Sequence, residues 1–111
     1  MKKKSTAIDV LKRMRTLLRK GWTQHWFAKN AKGSFRWEGD ADVVSFCLVG
    51  AMNRACRDLG ATKQGVALLL RKSLPTRKHG LTEFNDAKGR KKSEVIAVVI
   101  RAIEKAEKSL T

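Results

Sequence analysis

Apolar residues recur at helical spacing in four stretches of the chain. Ala7, Val10, Leu11, Met14, Leu17 and Leu18 fall on one stripe, which predicts a helix over residues 5–20. Ser5 or Thr6 can cap it, Asp9 stands three residues after Thr6 as a capping-box partner, and Gly21 is placed to end it. Val44, Leu48, Ala51, Met52, Ala55 and Leu59 predict a second helix over residues 41–59, opened by Asp40 or Asp42 and stopped by Gly60. Gly50 then falls in mid-helix, opposite the stripe. A glycine there costs about 1 kcal/mol against alanine, so another segment is expected to approach it closely. Val66, Leu69, Leu70 and Leu74 mark a third helix over residues 62–74, closed by Pro75. Val95, Val99, Ala102, Ile103 and Ala106 mark a last one over residues 93–110. Residues 95–100 are nearly all β-branched, so a strand competes there. The Glu- and Lys-rich continuation favours the helix.

Two connecting segments lack this period. Residues 22–40 hold Trp22, Trp26, Phe27, Phe35 and Trp37 among turn residues. Trp22 and Trp26, four apart, can extend the first helix beyond a bend at Gly21. Phe35 and Trp37 alternate as in an edge strand. These aromatics can close a small core or, beside Lys29, Lys32 and Arg36, stack on bases; the core reading is the commoner outcome for such side chains. Residues 76–92 read as a long loop anchored by Leu81 and Phe84, with turns at Asn85-Asp86 and Gly89. A connection of that length is usually functional or disordered. The expected architecture is mainly α: one domain over residues 1–111, a compact bundle of about four helices. A short β-hairpin can form from the loop segments, and residues 1–4 make a disordered basic tail.

Charge changes this picture most. The 25 Lys and Arg against 10 Asp and Glu leave a formal net of +15. The excess is concentrated: +10 over residues 1–37, −2 over 38–60, +7 over 61–92 and zero over 93–111. Such a field draws polyanions: nucleic acid, an acidic protein surface or anionic lipid. On the first helix Lys12, Arg15 and Arg19 line the face opposite the apolar stripe, with Arg13 and Lys20 beside them, and none of those first three has an acidic residue four positions away. Like charges so placed repel one another, and the arrangement asks for a counter-anion.

No apolar run approaches the roughly 20 residues of a membrane span, and no apolar signal stretch follows the basic start. Cys47 and Cys56, on one predicted helix, point to opposite sides and cannot bridge. Two free thiols suit a reducing compartment, so a cytoplasmic location is expected. The same divergence, and the absence of paired Cys or His spacing, gives no metal site. No phosphate-cradling glycine loop is present, and no cofactor is expected. Gln24, Cys47, His79 and then Asn85 or Asp86 follow the chain order of a thiol-protease set of oxyanion donor, nucleophile, base and orienter. Cys47 in the second turn of its helix would lie beyond the strongest dipole effect, and a buried structural cysteine is the better reading. His79, between cations in a loop, reads as an exposed side chain rather than a base.

The groups Gly21-Trp22-Thr23-Gln24, Ala28-Lys29-Asn30 with Gly33, Phe46-Cys47-Leu48-Val49-Gly50-Ala51, Phe84-Asn85-Asp86, Glu94-Val95-Ile96 and Arg101-Ala102 resemble, in order and spacing, a family of small bacterial proteins. It is labelled a domain of unknown function, and some members sit in phages and actinobacteria. The resemblance covers residues 8–106. It implies no activity but marks Trp22, Gln24, Cys47, Gly50, Asn85 and Asp86 as motif positions. An aspartate is usual in that pattern where this chain has Asn30, which weakens a carboxylate role there. No histidine belongs to the pattern, which argues against a Cys–His pair. Strong positive charge is not part of it either, so the basic face is this chain's own.

The leading expectation is a non-catalytic module that binds nucleic acid or another polyanion with little sequence preference. Its contacts would be Lys12, Arg15, Arg19 and Lys20 of the first helix and Arg77, Lys78, Arg90, Lys91 and Lys92 of the loop, gathered on one side. One alternative is a phage- or mobile-element-type interaction module that blocks a host factor through an acidic surface. Another is an enzyme that depends on Cys47, with Gln24 and Asp86.

Overall fold

The computed structural model describes residues 6–76 and 78–109. Residues 1–4 and Arg77, named above as tail and contact, lie outside them. The described chain forms helices α1 (Ala7–Lys20), α2 (Leu48–Leu59), α3 (Gln64–Lys72), α4 (Leu81–Asp86) and α5 (Lys92–Lys108). Strands β1 (Ala28–Asn30), β2 (Phe35–Arg36) and β3 (Val43–Phe46) complete it. The mainly helical expectation holds, but the four-helix count does not: five helices pack with a small antiparallel sheet of order β2-β1-β3.

Helix α1 begins as its sequence dictates. Thr6 caps it, the Thr6 hydroxyl accepting from the Asp9 amide at 3.3 Å while the Asp9 carboxylate accepts from the Thr6 amide at 3.0 Å. Val10, Leu11, Met14, Leu17 and Leu18 are buried against α2 and α5. The chain then leaves α1 in extended form. Gly21 has φ −175°, its carbonyl accepts from the Phe46 amide, and the Thr23 amide donates to the Phe46 carbonyl, both at 3.0 Å. The proposed extension of α1 through Trp22 and Trp26 is therefore wrong. Trp22 instead bridges Phe46 of β3, and a Cβ at Gly21 would collide with the Val44 carbonyl oxygen.

The second predicted helix starts too early. Val43 and Val44 sit in β3, where β-branched residues fit a pleated surface better than a helix, and β1 supplies their partner strand. Helix α2 opens at Leu48, with Cys47 as its N-cap and Gly60 as its left-handed C-cap at φ 62°. Gly50 thus belongs to the first turn rather than mid-helix. The expected close neighbour exists: a Cβ at Gly50 would strike the carbonyl oxygen of Phe27.

The stretch 76–92 is not structureless. Leu81 and Phe84 do anchor it, but as the buried face of α4, and Asn85-Asp86 form the end of that helix rather than a turn. Gly89 turns the chain at φ 80°. In α5 the competing strand is overruled, because Val95, Val98, Val99, Ala102, Ile103 and Ala106 make one buried helical stripe. Cations on α5 also close other helices. Lys92 Nζ donates to the Arg19 carbonyl at 2.7 Å, Arg101 Nη1 to Ser73 at 3.0 Å and Lys105 Nζ to Lys72 at 2.6 Å. Each satisfies a carbonyl that a helix C-terminus leaves open, where positive charge is favoured.

Candidate functional site

The motif residues converge, and Asn85 is their hub. Fully buried at the end of α4, its carboxamide oxygen accepts from Trp22 Nε1 at 2.8 Å and from the Leu48 amide at 3.0 Å. Its Nδ2 donates to the Thr23 carbonyl at 3.1 Å and to Asp86 Oδ1 at 2.9 Å. Every hydrogen-bonding direction of the amide is used. Gln24 Nε2 donates to the Asn85 and Ala87 carbonyls at 3.0 and 3.1 Å, and Asp86 Oδ1 accepts from the His25 amide at 2.9 Å. Three segments distant in sequence (residues 22–25, the start of α2 and α4) are thereby tied together. These partners are fixed protein groups, so the network holds structure.

Beside it lies a cavity of about 190 Å³, lined by His25, Trp26, Phe27, Cys47, Thr82, Asn85 and Asp86. The sequence missed two of its features. His25 has a positive φ of 71°, an uncommon backbone state for a residue other than glycine. Cys47 is the N-cap of α2, not a second-turn residue, and its Sγ accepts from the Gly50 amide at 3.2 Å. Burial pushes the Cys47 thiol up from its ordinary value, and the nearby Asp86 and Glu38 charges add to the rise; the amides of Gly50 and Val49 pull the other way and lose. A nucleophilic thiolate needs the opposite balance. His79 is absent from this cavity and contacts Glu83 at 3.2 Å on the surface, exposed as its sequence context predicts, so the Cys–His pair that chain order offered is not formed. Both cysteines are free. Among the described residues, no group of three or more His, Cys, Asp or Glu side chains gathers to hold a metal.

The predicted cations divide into groups. Lys12, Arg19 and Lys20 are exposed on α1, and Arg15 is half-buried beside them. Among the described residues none of the four pairs with a carboxylate. Arg15 Nε is buried without an acceptor, whereas a buried cationic group normally has one. Arg13 differs: Asp58 of α2 holds it at 3.0 Å. Lys92 joins the α1 group through its bond to Arg19, bringing one loop cation to the helix-one set. Arg90 is committed elsewhere, stacked 3.9 Å from the Phe84 ring centroid, donating to the Phe84 carbonyl at 2.8 Å and to Glu94 at 3.4 Å. The Lys91 amide donates to Glu94, while its residue remains exposed. Lys78 lies on the α3–α4 connection next to His79, which shares a shallow cavity with Arg71 and Lys72.

The aromatic segment departs furthest from expectation. Trp22 packs on the core, but Trp26, Phe35 and Trp37 are exposed. Their rings form one cluster with Phe27 instead of closing the interior.

No helix among the described residues is long and apolar enough to cross a membrane. The model of a family of unknown function, DUF6197, matches residues 2–105, and the chain belongs to that family. No curated protein and no solved structure matches it.

Proposed function

Membership of that family brings no activity with it, so function rests on the side chains: we propose that the chain is a non-catalytic binding module for nucleic acid or another polyanion. The contacts are backbone phosphates, made by Lys12, Arg15, Arg19 and Lys20 of α1, with Lys92 and Lys91 from the start of α5. The observation that supports this is a run of α1 cations without carboxylate partners, extended by Lys92 at the Arg19 carbonyl. Cations fixed on a rigid helix meet a phosphate backbone with little reorganisation. Arg90, tied to Phe84 and Glu94, adds charge rather than a contact. Lys78 and Arg77 would extend binding to longer polymers.

A reaction at Cys47 finds no comparable support, since the thiol is buried and its proton is held more tightly than usual. The test is direct. Protein purified at low salt is expected to carry nucleic acid, seen in its absorbance ratio, and to release it at high salt. Protein that emerges free of nucleic acid and retains protein partners after nuclease treatment would replace this reading with an acidic protein surface.

A further inference from the structure

We propose that the rings of Trp26, Phe27, Phe35 and Trp37, with Lys29 beside them, form a stacking platform for the unpaired bases of single-stranded nucleic acid. This deepens the polyanion reading and rests on it.

The sheet register builds the platform. Ala28 of β1 is buried, so the next residue, Lys29, faces outward, and it pairs with Phe35 of β2. Lys29 Nζ stands 5.7 Å from the Phe35 ring centroid. Trp26 stacks on Phe35 at 5.2 Å and 22°, and Phe27 on Trp37 at 5.6 Å and 25°. The two pairs meet through Trp26 and Trp37, whose centroids are 5.6 Å apart. Trp26 is 37% exposed, Phe35 58% and Trp37 60%. Large exposed ring clusters of this kind mark binding surfaces.

Two observations favour bases as the occupant. The patch consists of aromatic rings, a surface on which any base can stack, and the Lys29 cation lies beside one of them. Lys32, exposed at the β1–β2 turn, puts a further cation on the hairpin that carries Phe35. Carboxylates on the same segment and in the adjoining cavity take protein donors: Asp42 takes Arg36 and Asn30, Asp40 the Trp37 amide, Asp86 the His25 amide and Asn85, and Glu38 Oε1 the side chain of Asn53, while Glu38 Oε2 is buried without a partner. The platform is also held in place from behind. Gln24 and His25, immediately before Trp26, are fixed to α4 by the Asn85–Asp86 network, so little order must be gained on binding.

The experiment compares a fluorescent oligothymidine of about twelve nucleotides, within the usual site size, with a duplex of the same length. Wild-type protein and the variants Phe35→Leu/Trp37→Leu and Lys12→Ala/Arg19→Ala are titrated, with folding checked by circular dichroism. The wild type should prefer the single strand, and its tryptophan emission should be quenched on binding. Losing the stacking of even one base should weaken the ring variant for the single strand by about tenfold and leave duplex affinity unchanged. The α1 variant should lose both. Equal affinity of wild type for both forms, or a ring variant indistinguishable from wild type, overturns the platform while leaving the polyanion reading intact. Binding to neither overturns both. A dimer in sedimentation that the Trp37 change dissolves, or a protein partner held through Trp37 after nuclease treatment, would assign the rings to another occupant and overturn the platform.

Discussion

Asn85 is the residue on which the motif depends, because its one side chain completes the hydrogen bonding of Trp22, Leu48 and Thr23 at the same time. Asn85→Ala leaves those groups buried and unpaired, at about 1–3 kcal/mol each. Urea unfolding should therefore show a loss of about 3 kcal/mol or more. The motif positions were visible in the sequence as a resemblance, but their common centre was not: the partners lie 37 to 63 residues from Asn85. Cys47 carries a second prediction at this scale. Its folded-state pKa is raised above the ordinary 9.0, so between the unfolded and folded values the native state binds the extra proton. That stabilising contribution is complete below about pH 9 and fades as pH rises through the folded pKa. Cys56 is shifted the same way by burial. Stability followed by denaturant from pH 7 upward should fall above about pH 9, and less steeply in Cys47→Ser. The same burial should make Cys47 react with a thiol reagent far more slowly in folded than in unfolded protein.

Among the elements, α1, α3 and α5 were legible because a 3.6-residue stripe, a cap or a proline marks each of them. The errors have physical causes. Val43 and Val44 continue the apolar pattern of α2 backwards, and only pairing with β1 reveals them as a strand. Helix α4 is too short to show a period, and its helical state comes from packing Leu81 and Phe84 into the core. The aromatic segment looked like core because ring side chains usually are; the sheet faces them outward instead. Glycines separate these cases sharply. Gly50→Ala drives a methyl into the Phe27 carbonyl and should cost about 1–3 kcal/mol, as overpacking does. Gly65→Ala, in α3 with open space around it and no positive φ, should stabilise by about 0.5–1 kcal/mol. Thermal or urea unfolding of the two variants should shift in opposite directions.

At the scale of the whole molecule, the net charge of +15 was plain from composition, but its neutralisation was not. Asp58 reaches Arg13 from another helix, 45 residues away, and Phe84 and Glu94 engage Arg90. What survives on α1 is the set Lys12, Arg15, Arg19 and Lys20, joined by Lys92 at the C-terminus of the helix. Self-repulsion across such a surface lowers stability, and a bound polyanion relieves it while also stabilising by mass action. Heparin, a polyanion without bases, should raise the melting temperature of the wild type and raise it less in a variant lacking the four α1 cations.

The most direct test is the salt dependence of duplex DNA affinity, for the wild type and for Lys12→Ala/Arg15→Ala/Arg19→Ala/Lys20→Ala. With about five phosphates neutralised, the logarithm of affinity should fall against the logarithm of salt with a slope of about −4 to −5. The variant's slope should shrink to about −1 to −2. Identical slopes for the two proteins, or an affinity indifferent to salt, would contradict the account.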